Sequence, residues 1–172
     1  MNNKIRIYGD RVLGIKAREV GNPDEVKGFI PEMVSIMKEL KGLGLAAPQI
    51  GKAFQVFIVD LELLEKGKGV KEFINPRLIY YEGEEIFEEG CLSMPGLYLE
   101  IPRPSKVVIE YFDMDMKINR MEAEGLFARV LLHEYDHVNG ILIVDRLPEK
   151  EKKIMIAKWR KLWREMQKEN SG

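Results

Sequence analysis

Cysteine and histidine are nearly missing from this 172-residue chain, which holds one of the first and two of the second. A single cysteine cannot close an internal disulfide, so the fold must rest on its core, and a reducing cytoplasm is the expected compartment. Neither sign of charge is in excess: 27 basic against 28 acidic residues leave a formal net charge of −1. That balance gives no overall field to draw the chain to DNA or to a membrane surface. No apolar run approaches the roughly 20 residues a membrane helix needs. The opening Met1-Asn2-Asn3-Lys4-Ile5-Arg6 also lacks the apolar stretch of a signal peptide. Repeats and low-complexity linkers are missing too, so a single domain over residues 1–172 is expected. Hydrophobic residues at 45% and charged residues at 32% suit a globular domain with a substantial core.

From about Pro23 to Lys41 the spacing of Met33, Ile36, Met37 and Leu40 is helical, with Pro31 either opening the second part or kinking it. Gly42-Leu43-Gly44 should end it. Strand-like runs follow at Gln55–Leu61, Phe73–Tyr81 (broken at Asn75-Pro76) and Glu84–Glu88. Lys106–Phe112 and Lys117–Glu122 flank Asp113-Met114-Asp115 as a hairpin. Glu124–Asn139 reads as a helix closed by Gly140, and Pro148 to about Glu169 as a long C-terminal helix. Strands grouped between helices predict an α+β fold, with mixed or antiparallel strands packed around a central helix.

The scarce ligands are concentrated. Both histidines stand in His133-Glu134-Tyr135-Asp136-His137, and the cysteine in Glu89-Gly90-Cys91-Leu92-Ser93. Residues i and i+4 of a helix lie one above the other, so both imidazoles can reach one ion. In H-E-x-x-H the glutamate works as general base. Leu126, Val130, His133 and His137 are spaced 4, 3 and 4 on one face, apolar at its start and metal-binding at its end. That suits a substrate with a hydrophobic side chain beside the bond to be cut. Two histidines leave a metal short of a third protein ligand, for which Cys91 is the candidate. Gly90 permits close backbone approach, and the N–H groups of Leu92 and Ser93 could meet an oxyanion formed beside the metal. A third segment, Gly42-Leu43-Gly44-Leu45-Ala46-Ala47-Pro48-Gln49, is glycine-rich but is no phosphate loop, because no Lys-Ser/Thr follows.

In order and spacing the three segments resemble the peptide deformylase family, whose pattern is G-φ-G-φ-A-A-x-Q, then E-G-C-φ-S, then Q-H-E-x-D-H, with φ apolar. The departure is Leu132, where the family usually has glutamine. The resemblance implies a hydrolase that removes the formyl group from the N-terminal methionine of nascent polypeptides. By carry-over Cys91, His133 and His137 bind a divalent metal, ferrous iron with zinc or nickel able to substitute. Glu134 is then base and proton donor, and Gln49 with the Leu92 N–H holds the oxyanion. The substrate backbone is expected along Leu43-Gly44 like an added strand, with its methionine side chain among Leu43, Phe87, Leu126 and Val130. Glu89 and Arg103 are expected to pair behind the ligands. The C-terminal helix, with eight basic and four acidic residues from Pro148 onward, is expected to touch the ribosome through its basic face and to dock through Met155, Trp159, Leu162 and Met166.

Two rivals share part of the pattern. A zincin-type peptidase takes its third ligand downstream, where this chain offers no histidine; Glu149 or Glu151 could be invoked, but both sit in the first turn of a separate, charged helix. A non-catalytic structural zinc site normally has four protein ligands, against three suitable soft ones here.

Overall fold

The computed structural model describes residues 4–171. Two short helical segments, α1 (Asp24–Lys27) and α2 (Ile30–Glu39), precede the strands β1 (Gly44–Ala46), β2 (Val56–Asp60), β3 (Val70–Glu82), β4 (Glu85–Gly90), β5 (Tyr98–Arg103), β6 (Lys106–Phe112) and β7 (Ile118–Glu124). The helix α3 (Gly125–Val138) and the long α4 (Glu149–Glu169) follow. Five strands form one antiparallel sheet in the order β1-β2-β3-β6-β7, and β4 pairs with β5 in a separate antiparallel ribbon. The expected α+β class holds, with every pairing between these strands antiparallel.

The larger sheet is covered on both faces around β2, which explains why Val56-Phe57-Ile58-Val59 is continuously apolar. Successive side chains of a strand point to opposite faces. Phe57 and Val59 pack with Phe73, Ile109, Leu131 and Leu132 beneath α3, whereas Val56 and Ile58 pack with Ile36, Met37 and Ile74 beneath α2. A third cluster joins Cys91, Met94, Leu97, Ile101, Val144 and Trp159 under α4. Leu132 is buried in the cluster beneath α3, so where the family's glutamine would stand this chain has a core side chain.

Three junctions set the position of the site. Pro31 lies in the first turn of α2, where its missing N–H costs nothing, so it opens the helix instead of kinking it. That helix is closed by Lys41 at φ 55°, not by a glycine, and the Gly42 N–H returns to Met37 O at 2.9 Å. Gly42 is needed for closeness instead: a Cβ there would lie 3.1 Å from Leu92 Cδ1. Gly140 ends α3 as expected, at φ +74°, and a Cβ on it would stand 2.7 Å from the Ile15 backbone. Asn75-Pro76 does not break its strand. The irregularity is a bulge, with Asn75 at φ 47° and its side chain exchanging hydrogen bonds with the Val20 backbone at 2.8 and 2.9 Å.

Candidate metal centre and active site

Three elements bring the scarce ligands together. The β4 strand delivers Cys91 at its end, α3 carries His133 and His137 one turn apart, and the tight turn after β1 carries Gln49. The ligand atoms of Cys91, His133 and His137 all lie within 4.8 Å of one another, and Cys91 Sγ is 3.3 Å from His137 Nε2. Metal–sulfur and metal–nitrogen lengths of about 2.3 and 2.0 Å put tetrahedral ligands about 3.5 Å apart, so a small contraction would close the set on one ion. Burial pushes the Cys91 thiol up, but the imidazoles of His137 and His133 outweigh it and hold the thiol well below its ordinary value. Burial likewise opposes charge on His133, yet hydrogen bonds to Cys91 and Glu89 raise it well above its ordinary value. The cluster therefore favours a thiolate matched by positive charge, the complement a dication would supply.

Behind the ligands lies a chain of buried charges. Glu89, at the end of β4, accepts from His133 Nδ1 at 3.0 Å, from Arg103 at 2.5 and 3.0 Å, and from Arg129 at 2.8 Å. Burial would raise its carboxyl, but the His133 and Arg103 hydrogen bonds win and hold it at about 2. The expected pairing of Glu89 with Arg103 is thus present and fixes which His133 nitrogen faces the metal point. Arg103 also donates to Asp136 at 2.8 Å, and Asp136 accepts from Arg146 as well. Asp136 stands outside the ligand cluster, and sequence reasoning missed both this chain and Arg129. A signal existed: Arg129 stands four residues before His133, a lone charge on an apolar stretch of α3.

The cleft beside this cluster has a volume of about 1190 Å³. Leu43, Gly44, Gln49, Cys91, Leu92, Leu126, Val130, His133 and Glu134 all face it. Glu134 is buried, its Oε2 has no hydrogen-bond partner, and burial pushes its carboxyl up against the partial offset of the imidazoles. Gly44 makes room for it: a Cβ there would be 2.8 Å from the Glu134 side chain. Gln49 is aimed from both ends, its Oε1 accepting from Ala46 N at 2.9 Å and its Nε2 donating to Ser93 Oγ at 3.2 Å, 4.0 Å from Cys91 Sγ. Among the described residues the Leu92 N–H has no acceptor, which leaves it available to a ligand.

Phe87 departs from expectation. It does not line the cleft; it is 64% exposed on β4, with the Arg129 guanidinium 5.8 Å from its ring centre. By strand alternation it shares a face with Glu89, but Glu89 is the position that meets His133, and Phe87 lies two residues farther from the ligands. Glu149 and Glu151, the downstream carboxylates a zincin could invoke, lie exposed on α4 and outside the ligand cluster.

A thiolate and two imidazoles at one point, with a buried carboxylate beside them in an open cleft, define a metal-dependent hydrolase. Comparison with known proteins narrows the class. The model of the family described as polypeptide deformylase matches residues 2–153. A peptide deformylase of Dictyoglomus turgidum is 42% identical over 147 residues, covering 85% of this chain and 93% of the relative. One from Clostridium botulinum is 44% identical over 85% of this chain and 97% of its own. The crystal structure of the Thermus thermophilus peptide deformylase superposes with a TM-score of 0.85 at 41% identity, covering 96% of this chain and 98% of that one. The chain belongs to the polypeptide deformylase family. That family consists of metal-dependent hydrolases that act on N-formylmethionine, and the zincin reading is not favoured.

Proposed function

We propose that this chain hydrolyses the formyl group from the N-terminal methionine of nascent polypeptides, with Glu134 as its acid–base group. The observation that carries the reading is Glu134 itself, buried in the cleft beside the Cys91, His133 and His137 ligand atoms with one carboxylate oxygen unpartnered. Those three residues would hold a divalent ion. Ferrous iron is the proposed occupant, with zinc or nickel able to substitute, since a thiolate and two imidazoles suit any of them. When bound, the ion supplies Lewis acidity toward a water and the formyl oxygen.

The rest falls to the chain's own groups. Glu134 takes a proton from the attacking water as its oxygen bonds to the formyl carbon. It then returns a proton to the departing amine as the C–N bond breaks, releasing formate. Gln49 Nε2 and the free Leu92 N–H are the donors for the oxyanion. A β-strand at the edge of its sheet offers unpaired backbone groups, and β1 is such an edge, which supports a substrate backbone running along Leu43-Gly44. Its methionine side chain enters between Leu43, Leu126 and Val130, where its burial contributes roughly 1.5–3 kcal/mol.

A cytoplasmic enzyme that meets nascent chains as they emerge would gain from a foothold on the ribosome. The exposed Lys158, Lys161, Arg164 and Lys168 of α4 are proposed as that contact. No described helix is long and apolar enough to cross a membrane. The deciding experiment is metal analysis of anaerobically purified protein together with a formyl-Met-peptide assay. Stoichiometric iron and formate release are expected; a metal-replete protein that releases no formate overturns the reading.

A further inference from the structure

The family match ends at residue 153, yet the cleft does not end with the residues that match covers. Its wall includes Trp163 and Gln167, from the second half of α4. Two contacts fix this part of the helix against the loop that follows Cys91, and a stack within the helix adds to them. Trp159 is buried and donates from Nε1 to Pro95 O at 3.2 Å. Gly96 stands at φ +79°, and a Cβ there would lie 2.8 Å from Leu162 Cδ2. Trp163 stacks on Trp159, with ring centres 5.7 Å apart and planes at 16°. The Trp163 ring is therefore held in place before any ligand arrives, which lowers the ordering cost of binding.

Ile7 and Leu97, which share a hydrophobic cluster with Trp163, line the same cleft, as does Pro95, whose carbonyl accepts from Trp159. They are separate from the methionine pocket. Trp163, Leu97 and Ile7 belong to the cluster under α4, whereas Leu43 and Val130 belong to the cluster under α3. Once formyl and methionine occupy the ligand cluster and the α3 side, only residues later in the peptide remain to meet Trp163.

Resting on the deformylase reading, we propose that Trp163, with Gln167 at its side, forms a downstream subsite that selects peptides with an apolar side chain after the formyl-methionine. The C-terminal helix is then part of the substrate groove as well as a brace for the cysteine loop.

The test uses formyl-Met-Ala and formyl-Met pentapeptides carrying Leu or Glu at one downstream position at a time. In the wild type, Leu at one position should be preferred over Glu about tenfold in kcat/KM, the lower end of what burying such a side chain provides. The preference should reside in KM, because the contact is equally present in ground and transition states. Trp163→Ala should bring the Leu/Glu ratio to within about twofold and remove the advantage of the apolar pentapeptide over formyl-Met-Ala. Trp163→Phe retains an aromatic ring on Trp159 and guards against misfolding. In that protein, the change in tryptophan fluorescence seen when wild type is titrated with the unformylated Leu pentapeptide should vanish. Unchanged discrimination in Trp163→Ala, or an unchanged fluorescence response in Trp163→Phe, overturns the subsite. So does wild-type turnover that is indifferent to every downstream position. A wild type that deformylates no peptide at all overturns the deformylase reading instead.

Discussion

Glu134 and Gly44 occupy each other's space, and that pairing separates the chemistry from the metal. Glu134→Gln keeps the shape of the side chain but cannot accept the water's proton. Formate release should fall by about 10²–10⁴ while metal content stays stoichiometric. Near-normal turnover in the metal-replete variant would remove Glu134 from its role. Gly44→Ala tests the same carboxylate through its position. The added Cβ, 2.8 Å from Glu134 Cγ and Oε1, must displace it. A displacement on the order of 1 Å can cost about 10²-fold in rate, so kcat should drop with metal content unchanged. If Gly44→Ala turns over normally, Glu134 has slack that the geometry denies. Cys91→Ser addresses the metal instead: serine does not ionise at neutral pH as this thiol does, so the variant should lose its metal to a chelator that the wild type resists. Equal retention would show that Cys91 is not a ligand.

The elements carry a different lesson about what a sequence reveals. The H-E-x-x-H helix was legible because its spacing, its closing Gly140 and its apolar start all agree. The hairpin at Asp113 was legible because Asp113 Oδ1 accepts from the N–H groups of both Asp115 and Lys117, the turn chemistry its residue type suggests. Strand β1 was not legible: three residues give no period, and it exists because Leu45 and its neighbours pair with β2. Strand β5 was hidden by Pro102, which the ribbon tolerates because β5 has only one partner strand. The Cys, His and Glu of the site were readable from their scarcity, whereas Phe87 was misplaced because strand alternation gives a face but not how far along it a cleft extends. Arg129 was missed for want of any spacing rule linking α3 to β4 and β5. It ties them through Glu89 Oε1, Ile101 O and Glu85 O at 2.7–2.8 Å. Arg129→Met should lower unfolding stability by about 3 kcal/mol, since it removes one partner of a buried charge and strands two carbonyls. A denaturation midpoint within experimental error of wild type would show that Arg103 and His133 suffice to hold Glu89.

At the scale of the whole molecule, α4 has two faces with separate uses. Its inner face is committed, with Trp159 buried and Leu162 and Met166 packed against Gly96. Its outer face carries Lys158, Lys161, Arg164 and Lys168, all exposed and none in an ion pair among the described residues, unlike Lys152 and Lys153, which pair with Asp145 and Glu149. Neutralising those four residues therefore disturbs no packing and no salt bridge, and the fold should keep its unfolding midpoint. It removes four charges from a chain whose net charge is only −1, so any attraction to RNA phosphate must come from such a local patch. Each phosphate that is no longer neutralised lowers the magnitude of the salt slope of binding by about 0.7–0.9. Exchange of Lys158, Lys161, Arg164 and Lys168 for glutamine should thus weaken co-sedimentation with ribosomes and flatten its salt dependence by about three. Turnover of a free formyl-Met peptide should persist, because none of the four lines the cleft. Ribosome binding that survives with the same slope would confine α4 to its inner face, as a brace for the cysteine loop and a wall of the groove.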